Sequence, residues 1–168
     1  MAIAGITTGG ISLVIVPIIL VSILLPALSR ARELAKRAVC ASNLRIIGQN
    51  LHIYANDNGD WFPADLQTLV AEGLTSPEVL ICPSSGNAPG APSDYIYVPG
   101  LTEAAKPNWI VAFDDAANHN GQGSVVLRVD GSATFLREPQ FSAELQRVRD
   151  EIDASEFAVH PWYRNFDW

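Results

Sequence analysis

The first 29 residues carry no charged side chain, and this uncharged block continues directly into an amphipathic segment. The apolar run begins near Gly10 and reads GISLVIVPIILVSILLPALS. A helix of about 20 apolar residues crosses the hydrocarbon core of a bilayer. We therefore predict that residues 1–29 form a transmembrane or filament-core helix. A cleaved signal peptide and a helix buried inside a soluble protein are the alternatives.

Beyond Ser29 the apolar residues recur at steps of three and four, which places them on one side of a helix. Residues 30–57 are therefore predicted to be an amphipathic helix beneath a small head domain. The breaker sequence NDNGD at residues 56–60 should end this helix. Its two adjoining stripes are Ala27, Ala31, Leu34, Ala38 and Ala41, and Cys40, Leu44, Ile47, Leu51 and Tyr54. The basic residues expected mostly on the opposite side are Arg30, Arg32, Lys36, Arg37 and Arg45.

Charge is distributed unevenly along the chain, whose net charge is −7. Residues 1–45 hold five basic side chains and one acidic side chain, and the remainder holds six basic and 17 acidic ones. An acidic head disfavours a nucleic-acid partner, because binding phosphates requires a basic surface. The basic residues that follow the apolar block would place the head in the cytoplasm by the positive-inside rule.

The remainder of the chain predicts short helices followed by about four strands. Asp130-Gly131 is a good signal for a two-residue hairpin between the last two strands. A helix over residues 140–154 and an aromatic tail follow the strands, and together they occupy residues 140–168. The predicted head domain as a whole comprises residues 30–168. This order predicts an α+β fold, with a small antiparallel sheet packed on the long helix. The predicted strands are residues 95–98, 109–113, 124–129 and 133–137.

Cys40 and Cys82 are the only cysteines in the chain. Cys40 lies on the stripe that should face the head, and Cys82 follows an apolar run that should pack on that stripe. An even number of cysteines in an oxidising compartment favours a disulfide between them. Two buried free thiols are the alternative. The sequence disfavours a zinc site, because two cysteines alone do not supply enough ligands.

A second candidate site involves Asp114 and Asp115 at the end of a strand and Asp130 in the hairpin turn. Carboxylate oxygens suit a hard cation such as calcium, and antiparallel pairing would have to bring the turn near the strand end. The alternative is a loop held by side-chain-to-backbone hydrogen bonds. We predict no enzymatic activity, because no Ser or Cys nucleophile has a base placed beside it.

The segment LLPALSRARELAKRAVCASNLRIIGQNLHIYANDNGDWFP, residues 24–63, resembles the N-terminal helix of type IV pilin-like proteins. It is most similar to the type II secretion pseudopilin-like family that is abundant in planctomycete-type bacteria. LICPSS at residues 80–85, and His119 followed by Asp130-Gly131, also match, so that the resemblance covers roughly residues 10–137. It implies a pilin-like α+β head outside the cytoplasm. It further implies a membrane-anchored structural subunit that assembles, through residues 1–55, with copies of itself or other pilin-like subunits into a filament or pseudopilus.

One family characteristic is absent from this sequence. The glutamate of pilins would fall near Gly9, but no acid precedes Glu33, and no basic leader precedes the apolar run. Peptidase processing and glutamate-mediated docking are therefore not implied. The alternative function is a non-filamentous, membrane-tethered extracytoplasmic module that binds a cation, carbohydrate or protein through the aromatic tail or the Asp114 loop.

Overall fold

The computed structural model describes residues 3–164 and Phe166, with side chains from Leu20 onward. The chain divides into two compact units, one ending at Ala35 and the other beginning at Lys36. The long helix α1, Ile3–Asp57, contributes residues to both units. The fold is α+β, as predicted: the second unit packs its part of α1 on a four-stranded antiparallel sheet.

In the first unit, the described part of α1 is open to solvent. From Leu20 to Ala35 every side chain is exposed except Glu33, which is half-buried. Among the residues whose side chains are described, no helix combines the length and apolar character needed to cross a membrane. The prediction for residues 1–19 falls on side chains outside the described set.

In the second unit, α1 buries one side against the sheet. Gly48 brings the helix close to the β hairpin, because a Cβ atom there would lie 2.9 Å from Leu127 Cδ1 and 3.4 Å from Gly131 Cα. The helix ends at Asp57, where Gly59 and Asp60 adopt φ angles of 65° and 68°, as the breaker sequence predicts. The buried apolar residues of α1 are Cys40, Leu44, Ile47, Leu51 and Ala55.

Two basic residues of α1 contact the sheet, and one of them, Arg37, departs from the predicted polar side. Arg37 is only 9% exposed, and its Nη2 donates a hydrogen bond to Gln122 Oε1 over 2.7 Å. Its guanidinium lies over the Phe135 ring, 4.2 Å from the centroid. Arg45 Nη2 donates to the Ala133 carbonyl at 2.9 Å. The long apolar stems of these side chains allow charged groups to lie against the sheet.

The sheet is a meander in which the spatial order of the strands equals their order in the sequence, β1-β2-β3-β4. The hairpin turn between β3 and β4 contains Gly131 at φ 79°, whose N–H donates to the Arg128 carbonyl at 2.9 Å. All four strands lie within one or two residues of their predicted positions. Their bounds are β1 Tyr95–Tyr97, β2 Ile110–Asp114, β3 Gly123–Arg128 and β4 Ala133–Arg137.

The shorter helices connect and cover the sheet. The first of them begins at Gln67, close to Asp65, whose Oδ1 accepts the Thr68 N–H at 2.8 Å. The α-helices are α2 Gln67–Ala71, α3 Gln140–Asp153 and α4 Pro161–Arg164. The 3-10 helices are Pro77–Leu80, Ala116–His119 and Glu156–Val159.

The described part of the aromatic tail folds back on its own domain. Tyr163 is buried, and its hydroxyl donates to Asp153 Oδ1 at 2.9 Å. Phe157 packs edge-on against Trp109, with ring centroids 5.8 Å apart. Trp168, which also belongs to this tail, lies outside the described residues.

Candidate functional site

Four side chains with metal-binding or redox chemistry meet inside the head domain. They are Cys40, Cys82, Asp114 and His119, and one ligand atom from each lies within 4.8 Å of the others. All four are at most 1% exposed. They come from four parts of the chain: α1, the loop after the 3-10 helix Pro77–Leu80, the end of β2 and the 3-10 helix Ala116–His119.

A network of hydrogen bonds holds the Cys82 loop in place. The backbone N–H of Cys82 donates to Asp94 Oδ2 at 2.8 Å, and the Ser85 hydroxyl donates to the same oxygen at 2.6 Å. From α1, Asn43 Nδ2 donates to the Ile81 carbonyl at 3.2 Å. Hydrogen bonds to Asp94 and to Asn43 therefore hold the Cys82 loop in a position where Cys82 faces Cys40.

Asp114 is buried, and hydrogen-bond donors surround its carboxylate. Its Oδ1 accepts the Val125 N–H at 2.8 Å and the Ser124 hydroxyl at 2.7 Å. Its Oδ2 contacts His119 Nε2 at 2.6 Å. The 3-10 turn that carries His119 is capped by Asp115, whose Oδ1 accepts the Ala117 N–H at 2.9 Å. A buried carboxylate needs such partners, because an unpaired charge in the interior is costly.

The two cysteines are free thiols, with their sulfur atoms 2.8 Å apart. The hydrogen bond from the Cys40 thiol lowers the pKa of Cys82, and His119, whose Nε2 lies 4.0 Å from that sulfur, lowers it further. The same contact and burial raise the pKa of Cys40. The two thiols therefore titrate as one coupled pair, in which the protonation of each sulfur depends on the other.

The structure brings the two predicted disulfide partners together. A disulfide has a sulfur–sulfur bond of about 2.05 Å, so the 2.8 Å contact is an unbonded pair. Loss of two electrons and two protons to an oxidant would convert it into the disulfide. The disulfide itself stays a prediction.

The three carboxylates of the expected calcium site do not come together. Ile110 pairs with Arg128, and the Asp130 N–H donates to the Pro107 carbonyl at 3.1 Å, before β2 begins. Asp114 lies at the opposite end of β2. Asp115 is exposed and points away from its buried neighbour, where it caps the turn. The antiparallel pairing is the physical reason, since Asp114 at the end of β2 lies beside the start of β3, and the hairpin turn follows the other end of β3.

Three of the residues in the family resemblance, His119, Asp130 and Gly131, lie in two different places in the fold. His119 belongs to the buried cluster, whereas Asp130 and Gly131 form the β3–β4 turn. Asp130 Oδ1 accepts the Ser132 N–H at 2.8 Å. The hydrogen bond from the Ser132 side chain, and after it the one from the Ser132 backbone, lowers the pKa of the Asp130 carboxyl. Asp130 thus stabilises its own turn.

Sequence reasoning missed the full cluster, although each member was noticed separately. The sequence predicts a pairing of Cys40 with Cys82 and a calcium site at Asp114, and His119 stands out only through the family resemblance. The signal in the sequence that links Asp114 and His119 is their spacing. Asp114 ends a strand and His119 follows it by five residues, so a turn after the strand brings both side chains to the side of the sheet that α1 covers. That placement requires the sheet register, which no local motif encodes.

Comparison with protein families, with curated proteins and with solved structures finds no match to this chain.

Proposed function

We propose that the protein is a structural subunit, similar to pilins and pseudopilins, that is anchored in a membrane and assembles with copies of itself through residues 1–55. One observation carries the proposal: α1 exposes a continuous set of large apolar side chains that the monomer leaves without partners. Leu24 and Leu25 are 65% and 61% exposed. The others in this part of the helix are Leu20, Val21, Ile23, Leu28 and Leu34.

Burial of such side chains favours assembly. Full burial of one leucine or isoleucine contributes about 1.5–3 kcal/mol, and adjacent residues on one helix can be buried together. Exposed apolar surface of this extent is typical of an interaction site with protein or lipid. Packing of α1 against the same helix of other copies would bury it.

The charge distribution also favours copies of this chain as the partner. The first 45 residues are basic and the remainder is strongly acidic. In a staggered assembly, the basic part of one helix would lie beside the acidic head of a neighbour. Complementary charge of this kind guides the orientation of association more than it adds affinity. In this proposal the head faces away from the cytoplasm.

The experiment compares wild type with the double variant Leu24→Asp, Leu25→Asp in the native membrane fraction. We expect wild-type protein in large, sedimenting assemblies that are visible as filaments by electron microscopy, and we expect the variant to remain small. Val159→Asp is the matched control, since Val159 is 68% exposed but lies in the head. It should assemble normally.

The alternative, a tethered binding module, is favoured by one surface feature. His160 stacks on Trp61 with centroids 4.6 Å apart and contacts Trp162 at 4.9 Å. These tryptophans are 37% and 44% exposed, so their rings offer a stacking surface for a carbohydrate. Wild-type protein found only as a monomer in the membrane would contradict assembly and support this function.

A further inference from the structure

We propose that Cys40, Cys82, Asp114 and His119 form a structural zinc site in the reduced chain. This inference is independent of the assembly proposed above, because the cluster lies wholly inside the head domain. It rests on the convergence of four ligand atoms within 4.8 Å in a closed, buried space. Structural zinc sites have four protein ligands and no open position, and this is the number that the cluster supplies.

The kinds of donor atom decide the metal. Two sulfur atoms, one imidazole nitrogen and one carboxylate oxygen match the ligands of zinc, a borderline-soft ion. Calcium and magnesium prefer oxygen ligands and would not select two sulfurs. The buried position excludes the several waters that magnesium keeps.

The distances require only small movements to reach zinc geometry. Tetrahedral bonds of about 2.3 Å to sulfur would place two sulfur atoms about 3.8 Å apart, whereas Cys40 and Cys82 Sγ lie 2.8 Å apart. Bonds of about 2.0–2.1 Å would place nitrogen and oxygen about 3.4 Å apart, compared with 2.6 Å between His119 Nε2 and Asp114 Oδ2. The 4.0 Å between Cys82 Sγ and His119 Nε2 would shorten slightly. Side-chain rotations on four separate elements can supply such shifts.

The surroundings orient the ligands. Ser124 and Val125 donate to Oδ1 of Asp114, which leaves Oδ2 directed at the cluster. Asp94 fixes the Cys82 backbone through its N–H. Partners of this kind commonly orient metal ligands and strengthen binding. A divalent ion would also compensate most of the negative charge of two thiolates and one carboxylate in the interior.

The disulfide and the zinc site exclude each other, because both need the same two sulfur atoms. Zinc binding to the reduced pair releases the thiol protons to solvent and transfers no electrons. The reduced chain is therefore the form in which to look for the metal.

The test titrates the full-length chain, purified under reducing conditions and stripped with a chelator, with Co²⁺ and then Zn²⁺. We expect one Co²⁺ per chain, with thiolate-to-cobalt charge-transfer absorption and the visible bands of a tetrahedral site, and displacement by Zn²⁺. Zinc should also raise the melting temperature of the wild-type chain, because a ligand that binds only the folded state stabilises it.

Three variants locate the site. Asp114→Asn should lose the tetrahedral cobalt spectrum, while Asp115→Asn, its exposed neighbour, should keep the wild-type spectrum and affinity. Ser124→Ala should keep the spectrum and bind about 10–100-fold more weakly, as the loss of an orienting partner usually does. Circular dichroism checks that each variant is folded.

The titration of wild type decides the question even if a variant fails to fold. Reduced wild-type chain with two free thiols and no charge-transfer absorption would overturn the zinc site. A folded Asp114→Asn variant with an unchanged spectrum would overturn the assigned ligands. Protein isolated with a Cys40–Cys82 disulfide that binds one Co²⁺ after reduction would support the site in the reduced form.

Discussion

At Gly123 the backbone lies so close to β4 that a Cβ atom does not fit. It begins β3 with φ 141°, a conformation that side chains with a Cβ atom rarely adopt. A Cβ atom at this position would lie 2.0 Å from the Leu136 carbonyl oxygen and 2.8 Å from Arg137 Cα. Both obstacles are backbone atoms of β4, so neither can rotate away.

Gly123→Ala should therefore destabilise the fold by about 2–4 kcal/mol, from backbone strain and overpacking together. Gly121→Ala is the matched control. Gly121 has φ 68°, but a Cβ atom there would meet nothing within 4 Å, so only the strain of about 1–2 kcal/mol applies. Denaturant unfolding measures both values. Equal losses in the two variants would show that the contact with β4 is unimportant.

At the scale of single residues, the sequence predicts chemistry better than location. It identifies Cys40, Cys82, Asp114 and His119 as notable, because their side chains can ionise and can bind metal ions. It places Arg37 on the polar side of α1, although this residue lies three positions before Cys40 and so shares its side of the helix. The positive charge of Arg37 led to the wrong prediction of the side of the helix on which it lies.

At the scale of elements, one acidic side chain of α3 binds the segment that leads into β2. Glu151 Oε2 accepts Lys106 Nζ at 2.8 Å and Trp109 Nε1 at 2.9 Å. Arg147, one turn earlier, donates to the other carboxylate oxygen. The hydrogen bond from Lys106, followed by those from Trp109 and Arg147, lowers the pKa of Glu151 from 4.5 to about 2.

This pKa shift predicts a pH-dependent contribution to stability. The carboxyl has a lower pKa in the folded chain, so its charged form favours folding fully above pH 4.5, and the effect is lost as pH falls toward about 2. Glu151→Gln should lower the melting temperature at neutral pH, and the difference from wild type should shrink below pH 4.5. Glu156→Gln, in the adjacent exposed 3-10 helix, is the control. A difference that stays constant with pH would contradict this role.

The elements themselves follow from local signals, whereas the site does not. Alternating apolar residues, Asp130-Gly131 and the breaker after Asp57 determine strands, turn and helix end within short windows of sequence. The β2–β3 pairing is antiparallel, so Asp114 lies beside the start of β3 and Asp130 lies beyond its far end. The cluster of Cys40, Cys82, Asp114 and His119 depends on how α1 and the Cys82 loop pack on the sheet, and no short window of sequence determines that packing.

For the whole molecule, the core begins only in the second unit. The described residues from Leu20 to Ala35 include no buried side chain, and the first buried residue after them is Arg37. Deleting residues 1–35 should therefore leave the head folded. Its melting temperature should change by less than the roughly 2–4 °C that 1 kcal/mol produces in a chain of this size.

Thermal unfolding by circular dichroism checks this prediction, and sedimentation of the same truncated chain should show a monomer. The full-length chain carrying Leu24→Asp and Leu25→Asp serves as the control with an intact helix. A large drop in melting temperature after truncation would mean that the first unit supports the head.

The position of α1 at the start of the chain has a consequence for synthesis. Its buried side, from Cys40 to Ala55, packs on strands that end only at Arg137. At about 5–20 residues per second, a ribosome needs about 4–16 s to make the intervening segment. During that interval the nascent helix presents its apolar side without the sheet that covers it. A chaperone that binds apolar helices would shield this surface until β4 emerges.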